Sequence, residues 1–213
     1  GINYIDTAVI YLGGDSEVFL GECLSRYNRQ SYNLASKFTL GFSPDYRTMF
    51  EQQLKRLKTD YLDFYLMHGI NKEKWEAFKA IGAPEFFDDM KKAGKIRYKC
   101  FSFHGPYEDF EYIIKDYDWD MCQIQYNFMD VENQAGTKGL ELAGKMGIPV
   151  VIMEGLLGGR LAKAPDNVQA LYDAFPVKRS PVEWAFRWLC NHPEVATVLS
   201  GCNEEQQVED NLK

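Results

Sequence analysis

Short apolar segments alternate with amphipathic segments along the whole chain, and this alternation predicts an α/β fold built as a (β/α)8 TIM barrel. About seven strand–helix units follow one another in register. Alternating units of this length give a parallel sheet with helices packed outside it. Because a complete barrel takes roughly 250 residues, a chain of 213 residues fits a barrel that lacks one unit.

Each unit begins with a short apolar run and continues as a helical pattern. The predicted strands are Ile2–Ile5, Tyr32–Ser36, Tyr61–Met67, Ile96–Phe101, Met121–Gln125, Pro149–Met153 and Ala196–Leu199. The predicted helices are Ser16–Tyr27, Tyr46–Leu57, Pro84–Ala93, Tyr107–Lys115, Gly136–Met146, Asn167–Phe175, Pro181–Asn191 and Glu204–Leu212. Gly94 follows the third of these helices, and a glycine at that position is typical of a helix C-terminus.

An open, doubly wound sheet is the alternative arrangement of the same units. Its nucleotide-binding version carries a G-x-G-x-x-G loop after the first strand, whereas this chain has only the short doublets Gly13-Gly14 and Gly158-Gly159. The barrel is therefore favoured. No linker or low-complexity segment divides the chain, so residues 1–213 are predicted to form a single domain.

The composition excludes several classes of protein. Hydrophobic residues make up 46% and charged residues 26% of the chain, which is typical of globular proteins. The net charge of −7 argues against nucleic-acid binding, which needs a basic face. No apolar run is long enough to span a membrane and no signal peptide is visible, so we expect a cytoplasmic location. The five cysteines form no C-x-x-C pair, so we expect no metal site.

Polar side chains stand where several of the predicted strands end. In a barrel, residues just past the C-terminal ends of the strands face one mouth, where catalysis takes place. Those expected at this mouth, just beyond or late in their strands, are Asp6, Lys37, His68, Ser102, Gln123, Gln125 and Glu154. Several ionisable groups directed at one mouth are typical of a catalytic site.

A subset of these residues, together with one tyrosine, suits a site that delivers a proton to a developing alkoxide. Tyr11 lies five residues after Asp6, within the same loop. A phenol ordinarily has a pKa of about 10, and a nearby ammonium group such as that of Lys37 favours its phenolate form. Asp6 can hold Lys37 in place, and His68 can donate a hydrogen bond that orients a carbonyl oxygen. We therefore predict Asp6, Tyr11, Lys37 and His68 as the catalytic residues.

The segments around these residues resemble the aldo-keto reductase family. Gly1–Ala8 followed by Tyr11 is similar to the family's signature around its catalytic Asp and Tyr, and Ala35-Ser36-Lys37 is similar to its catalytic lysine segment. Asp60–His68 resembles the family's histidine strand, and Gly94–Tyr98 resembles the usual lead into the strand that ends near the nicotinamide. These motifs occur in the family's order over essentially the whole chain.

The resemblance implies an oxidoreductase that transfers a hydride between NADP(H) or NAD(H) and a small-molecule carbonyl or alcohol substrate. It also implies that the first barrel strand and the C-terminal tail are missing from this chain. The residues that it implies for cofactor binding are Ser102, Gln123, Glu154, Gly155, Leu157, Gly159, Gly201, Gln207, Asp210 and Asn211. In the family, the positions of Ser102 and Gln123 hold the nicotinamide carboxamide, and those of Gly155, Leu157 and Gly159 line the pyrophosphate path.

Several positions depart from the common family pattern. Phe103 stands in place of an Asn, and Glu154 in place of an aromatic residue that stacks on the nicotinamide. Gly201 and Gln207 stand where many members carry the Lys and Arg that bind the 2′-phosphate of NADP, so the choice between NADP and NAD is open. Phe101–Gly105 resembles a branch of the family whose members often carry a C-terminal iron–sulfur domain. The resemblance places any such domain outside this chain.

The sequence is therefore consistent with two functions. The leading interpretation is a nicotinamide-dependent carbonyl reductase in which Tyr11 donates the proton and His68 orients the substrate oxygen. The alternative is a non-enzymatic nicotinamide-binding subunit that senses redox state or couples to electron transfer. The complete set of predicted catalytic residues favours the enzyme, whereas the departures in the cofactor-binding positions favour the alternative.

Overall fold

The computed structural model describes residues 2–212. The chain forms two compact units, with the boundary between Cys122 and Gln123. Strand–helix repeats form the first unit. The strands of the first unit are β1 (Tyr4–Asp6), β2 (Asn33–Phe38), β3 (Leu62–Ile70) and β4 (Ile96–Phe103). Its helices are α1 (Asp15–Leu24), α2 (Tyr46–Arg56), α3 (Lys72–Ala80), α4 (Ala83–Lys92) and α5 (Tyr107–Asp116). Strand β5 (Met121–Gln125) contains the boundary between the units.

The four strands β1 to β4 pair in chain order, and every pair is parallel. Parallel neighbours need a long crossover connection, which the helices between them supply. Sheets of this kind are covered on both faces, so their strands are apolar almost throughout. Strand β2 is accordingly buried from Leu34 to Phe38. Phe38 packs edge-on against Phe78 of α3 with ring centroids 4.9 Å apart, and Tyr65 stacks on Phe87 of α4 at 4.9 Å.

Local sequence signals set the ends of several helices in the first unit. Asp45 caps α2 by accepting hydrogen bonds from the backbone N–H groups of Arg47 and Thr48, both at 3.1 Å. Helix α4 ends before Gly94, whose φ of 70° is left-handed, as the sequence predicts. Helix α3 was absent from the sequence prediction, because its nine residues are mostly charged and bury only Trp75 and Phe78.

The second unit continues the same alternation of helices and strands. Its elements are α6 (Gly136–Lys145), β6 (Val150–Met153), α7 (Asp166–Ala174), α8 (Pro181–Cys190), β7 (Val195–Val198) and α9 (Glu205–Asn211). Strands β6 and β7 pair in parallel. Ser180 caps α8 by accepting a hydrogen bond from Glu183 N–H at 3.1 Å, and Pro181 occupies the first helical position. The ring of Trp188 in α8 stacks on Tyr126 with centroids 5.3 Å apart.

Three further features bear on the class of protein. None of the described helices combines the length and the apolar character that a membrane crossing needs. Within residues 2–212, no group of three His, Cys, Asp or Glu side chains is arranged to hold a metal ion. All five cysteines are free thiols, of which Cys100 and Cys122 are buried.

Candidate active site

Four of the predicted site residues lie inside strands rather than beyond them. Asp6 is the last residue of β1, Lys37 the fifth of six in β2, His68 the seventh of nine in β3, and Ser102 the seventh of eight in β4. The expectation that these side chains follow the strand ends is therefore wrong by up to three residues. Pairing continues further than the apolar runs indicate, since Ile70 still pairs with Phe103. The C-terminal placement on the strands nevertheless holds for all four.

Lys37 is fully buried, and its ammonium group is neutralised by Asp6. Its Nζ donates to Asp6 Oδ1 at 2.5 Å and to the carbonyl oxygen of Thr7 at 2.8 Å. A buried ammonium is tolerated only when it is paired and hydrogen-bonded in this way. Burial raises the pKa of the Asp6 carboxyl, although the Lys37 charge opposes that shift. The pair therefore fixes the positive charge of Lys37 at the C-terminal ends of β1 and β2.

Tyr11 lies against this charge at the start of a short turn. The Lys37 Nζ is 4.8 Å from the centroid of the Tyr11 ring, and the Tyr11 and His68 rings meet edge-on with centroids 5.8 Å apart. The turn after Tyr11 is left-handed at Leu12 and Gly13, with φ of 52° and 67°. A left-handed leucine costs about 1 kcal/mol or more, which is the kind of strain that functional loops store. Within the first unit, the structure thus brings Asp6, Tyr11, Lys37 and His68 together.

His68 is held as a neutral imidazole. Burial lowers the pKa of His68 to about 4, and the nearby positive charge of Lys37 contributes to that lowering. A neutral imidazole carries a single N–H, so its two nitrogens differ in what they offer. Its Nδ1 lies 2.9 Å from the hydroxyl oxygen of Thr39. Thr39 was missed by the sequence analysis, although its spacing of two residues from Lys37 was a signal, since such residues share a face of a strand.

A buried network of polar side chains forms hydrogen bonds with the backbone of Lys37 and with its neighbour Ser36. The carboxylate of Glu17, which is fully buried, accepts hydrogen bonds from Ser36 Oγ at 2.6 Å, Gln53 Nε2 at 2.6 Å and Arg56 Nε at 2.8 Å. Gln53 Nε2 also lies 3.1 Å from the carbonyl oxygen of Lys37, to which it donates. The sequence offered no signal for this network, because a glutamate in the first turn of a helix is ordinarily a solvated charge.

The two residues expected to hold the nicotinamide carboxamide lie in different units. Ser102 Oγ accepts a hydrogen bond from Gly69 N–H at 2.8 Å, one residue beyond His68. In the second unit, Gln123 is buried and its Nε2 lies 3.7 Å from the sulfur of Met153. Its Oε1 is buried without a partner among the described residues. An unpaired buried acceptor is costly, and it suits a ligand that brings an N–H donor, as a carboxamide does.

A cleft of about 810 Å³ lies in the second unit. Most of the predicted cofactor-binding residues line it, namely Glu154, Gly155, Gly159, Gly201, Gln207, Asp210 and Asn211. Ser102, Gln123 and Leu157 are outside its lining. Polar residues that line the cleft but were missed by the sequence analysis are Ser200, Cys202, Asn203, Glu204 and Gln206. Most of them lie in the turn after β7, and Gln206 lies in the first turn of α9.

The turn after β6 offers backbone donors to this cleft. Its residues Glu154, Leu157, Gly158 and Gly159 are left-handed, with φ of 59°, 49°, 63° and 84°. Among the described residues, the N–H groups of Gly155, Gly158 and Gly159 donate no hydrogen bond. Free backbone N–H groups in a turn bind phosphate oxygens well. The residues present therefore fit the pyrophosphate of a nicotinamide dinucleotide.

The comparisons with known proteins agree with this geometry. A model of the aldo/keto reductase family matches residues 1–213. The chain is similar to "Uncharacterized oxidoreductase YqkF" of Bacillus subtilis, with 25% identity over the whole chain and 78% of the relative. It is also similar to "NADH-specific methylglyoxal reductase" of Escherichia coli, with 24% identity over the whole chain and 78% of that relative.

Solved structures show the same fold. The holo form of aldo-keto reductase AKR11C1 from Bacillus halodurans superposes with a TM-score of 0.82 at 28% identity, covering the whole chain and 76% of that structure. A Klebsiella pneumoniae aldo/keto reductase in complex with NADP and acetate superposes with a TM-score of 0.77 at 22% identity, covering the whole chain and 74% of that structure. The predicted (β/α)8 class is confirmed, and the comparisons give no support to a non-enzymatic subunit. The chain belongs to the aldo-keto reductase family, and it is an NAD(P)H-dependent oxidoreductase that acts on carbonyl compounds.

Proposed function

We propose that the cluster of Asp6, Tyr11, Lys37 and His68 carries out the proton delivery in this carbonyl reduction. The observation that carries the proposal is the buried Lys37 ammonium, paired with Asp6 at 2.5 Å and lying 4.8 Å from the centroid of the Tyr11 ring. The bound nicotinamide supplies the hydride. The side chains described below supply the proton and the orientation of the substrate oxygen.

Tyr11 donates its phenolic proton to the substrate oxygen as negative charge develops there. The adjacent Lys37 ammonium stabilises the phenolate that remains, and Asp6 keeps that ammonium in place. His68 stays neutral at pH 7, because burial lowers its pKa to about 4, and so it acts as a hydrogen-bond donor rather than as a charge. A neutral imidazole orients a carbonyl oxygen through its N–H hydrogen bond, while the transferred proton comes from Tyr11.

Replacement of the tyrosine tests this assignment. Tyr11→Phe removes the phenolic proton and keeps the ring, so kcat/KM for methylglyoxal is expected to fall by about 10²- to 10⁴-fold. Methylglyoxal is the first substrate to assay because the Escherichia coli relative is named for it. The control is Tyr27→Phe, at a side chain that is 67% exposed, which is expected to keep wild-type rates. Equal turnover by wild type and Tyr11→Phe would show that Tyr11 is not the proton donor.

We infer that NADH is the preferred cofactor. Glu154, Glu204 and Asp210 line the cleft, whereas no Lys, Arg or His belongs to its lining in the described part of the chain. A 2′-phosphate dianion needs such cations, while carboxylates accept hydrogen bonds from ribose hydroxyls. The NADH-specific relative supports this choice, and the NADP-bound Klebsiella pneumoniae structure shows that the fold also accepts NADP.

A cation placed in the cleft tests the cofactor preference. An added Cβ at Gly201 meets no atom within 4 Å, so the first atom of a new side chain has room there. Gly201→Lys is expected to raise kcat/KM for NADPH by about tenfold, which corresponds to one new charge pair of ~1.4 kcal/mol. Gly201→Gln, which adds a neutral side chain of similar reach, is the matched control. A wild-type preference for NADPH over NADH would overturn the inference.

We also propose that residues 1–213 form one barrel domain, since the family model spans that whole range. A cytoplasmic location is proposed as well, on the ground that all five cysteines are free thiols, which reducing compartments maintain. Cell fractionation tests this location. An iron–sulfur domain outside this chain stays a prediction.

A further inference from the structure

Thr39 lies beside the proposed catalytic cluster without belonging to it. It follows directly after Phe38, the last residue of β2, and it is half-buried. Its hydroxyl oxygen is 2.9 Å from Nδ1 of His68, a residue 29 positions further along the chain. This contact is the one polar side-chain contact of the His68 ring in the part of the chain that the structure describes.

The direction of this hydrogen bond decides which nitrogen of His68 carries the proton. Burial keeps the imidazole neutral, with a pKa of about 4, so only one of its two nitrogens bears hydrogen at pH 7. If Nδ1 bore it, the ring would donate to Thr39 and the hydroxyl proton would need another acceptor. Within residues 2–212, the Thr39 hydroxyl has no other partner. With Thr39 donating to an unprotonated Nδ1, the hydroxyl proton is paired within the protein and the ring proton is left for a substrate oxygen.

The remaining proton then sits on Nε2. That nitrogen is the one left free of side-chain hydrogen bonds among the described residues, so it can donate to a substrate oxygen. The partner of the second imidazole nitrogen commonly sets tautomer and orientation in this manner, and at metal-binding histidines loss of such a partner typically costs about 10- to 100-fold in affinity or activity.

We propose that Thr39 is a positioning residue that fixes His68 in its Nε2–H tautomer for hydrogen bonding to the carbonyl substrate. The inference rests on the proposed role of His68 and goes beyond it. Thr39 does not touch the substrate; it acts through the ring. The neighbouring Lys37 ammonium disfavours a second proton on the ring. The hydroxyl of Thr39 therefore determines which of the two neutral tautomers, Nδ1–H or Nε2–H, is populated.

The test reads the tautomer directly by ¹⁵N NMR of histidine-labelled protein at pH 7. The chain has only three histidines, so the His68 signals are assigned by their loss in His68→Gln, while His104 and His192 serve as internal references. The wild type is expected to show protonated Nε2 and unprotonated Nδ1. Thr39→Val, which keeps the shape and removes the hydroxyl, is expected to populate both tautomers.

Kinetics of the same variants complete the test. Thr39→Val is expected to lower kcat by about tenfold with little change in KM, because the bond orients a donor used in the transition state. Thr39→Ser restores the hydroxyl and is expected to recover both the tautomer and the rate to within about twofold, which separates the effect from a folding defect.

The proposal is overturned if wild-type His68 carries its proton on Nδ1, or if Thr39→Val leaves the tautomer unchanged. Those results would leave the proposed function standing, provided that Tyr11→Phe and His68→Gln are inactive. Full activity of Tyr11→Phe would instead overturn the proposed function, while the NMR result would still report on Thr39. The two failures are therefore distinguishable.

Discussion

At the scale of single residues, burial moves the pKa values of two neighbouring groups in opposite directions on the pH scale. Desolvation disfavours the charged form of each group, so it raises the pKa of Asp6 and lowers the pKa of His68. Lys37 opposes the first shift and adds to the second. One buried ammonium thus favours the charged form of the carboxylate beside it and the neutral form of the imidazole beside it.

The lowered pKa of His68 makes stability depend on pH. Between about pH 6.5 and pH 4, the unfolded chain holds a proton on His68 that the folded chain lacks, so the free energy of unfolding falls as the pH falls. We expect the wild type to lose about 1 kcal/mol more than His68→Gln between pH 7 and pH 4.5, after allowance for the partial exposure of the ring.

Urea unfolding curves at the two pH values measure this difference. The raised pKa of Asp6 has the opposite sign, because the folded chain then binds the extra proton, and it is common to both proteins. A loss of stability that is equal in wild type and His68→Gln would contradict the expected contribution of His68.

The residues of the cluster were predictable to the extent that short motifs contain them. Asp6 and Tyr11 lie five residues apart in one short motif, and Lys37 and His68 each follow an apolar run. Glu17 and its partners were not predictable, because their hydrogen bonds join positions 19 and 36 residues apart. A buried carboxylate and an exposed one look alike in a sequence until the elements that cover them are known.

At the scale of elements, helices α1 and α2 approach each other closely at Gly21. An added Cβ at this position would overlap the carbonyl oxygen of Arg56, which is backbone and cannot turn aside. The missing side chain therefore lets the end of α2 lie against α1 and brings the Arg56 guanidinium to Glu17 at 2.7 Å. The glycine is a requirement of packing, since its own φ is not left-handed.

Gly21→Ala is expected to destabilise the protein by about 3 kcal/mol, because the two helices must separate to admit the methyl group. Thermal or urea unfolding measures the change. Gly144→Ala in α6 is the comparison: its Cβ would overlap Cγ of Glu194, a side chain that can change rotamer, and alanine favours the helix by roughly 1 kcal/mol, so a smaller loss of stability is expected. The packing argument is wrong if the two variants are equally stable.

Helices and strands were predictable in proportion to the strength of their periodic pattern. Strand β5 has the predicted bounds, and β3 extends three residues beyond its prediction, because Gly69 and His68 interrupt the apolar run without ending the pairing. Helix α3 was missed for the opposite reason, since a short charged helix that buries two aromatic rings has little periodic signal.

At the scale of the whole molecule, the order and number of strand–helix units were predictable from the alternation alone, and this order led to the fold class. The residues that line the cleft were predictable where the family resemblance supplied them and not elsewhere. The turn after β7 illustrates the difference: Gly201 was named, while its neighbours Ser200 and Cys202 were not, because small polar residues in a turn have no pattern of their own.

The buried network around Glu17 has a consequence for the order of folding. Its carboxylate in α1 finds its partners in β2 and α2, and Gln53 is in turn held by the hydroxyl of Tyr65 in β3 at 2.7 Å. A carboxylate leaves water at great cost until such partners are in place. We therefore expect these four elements to dock together, so that the segment that carries Lys37 gains its final geometry late in folding.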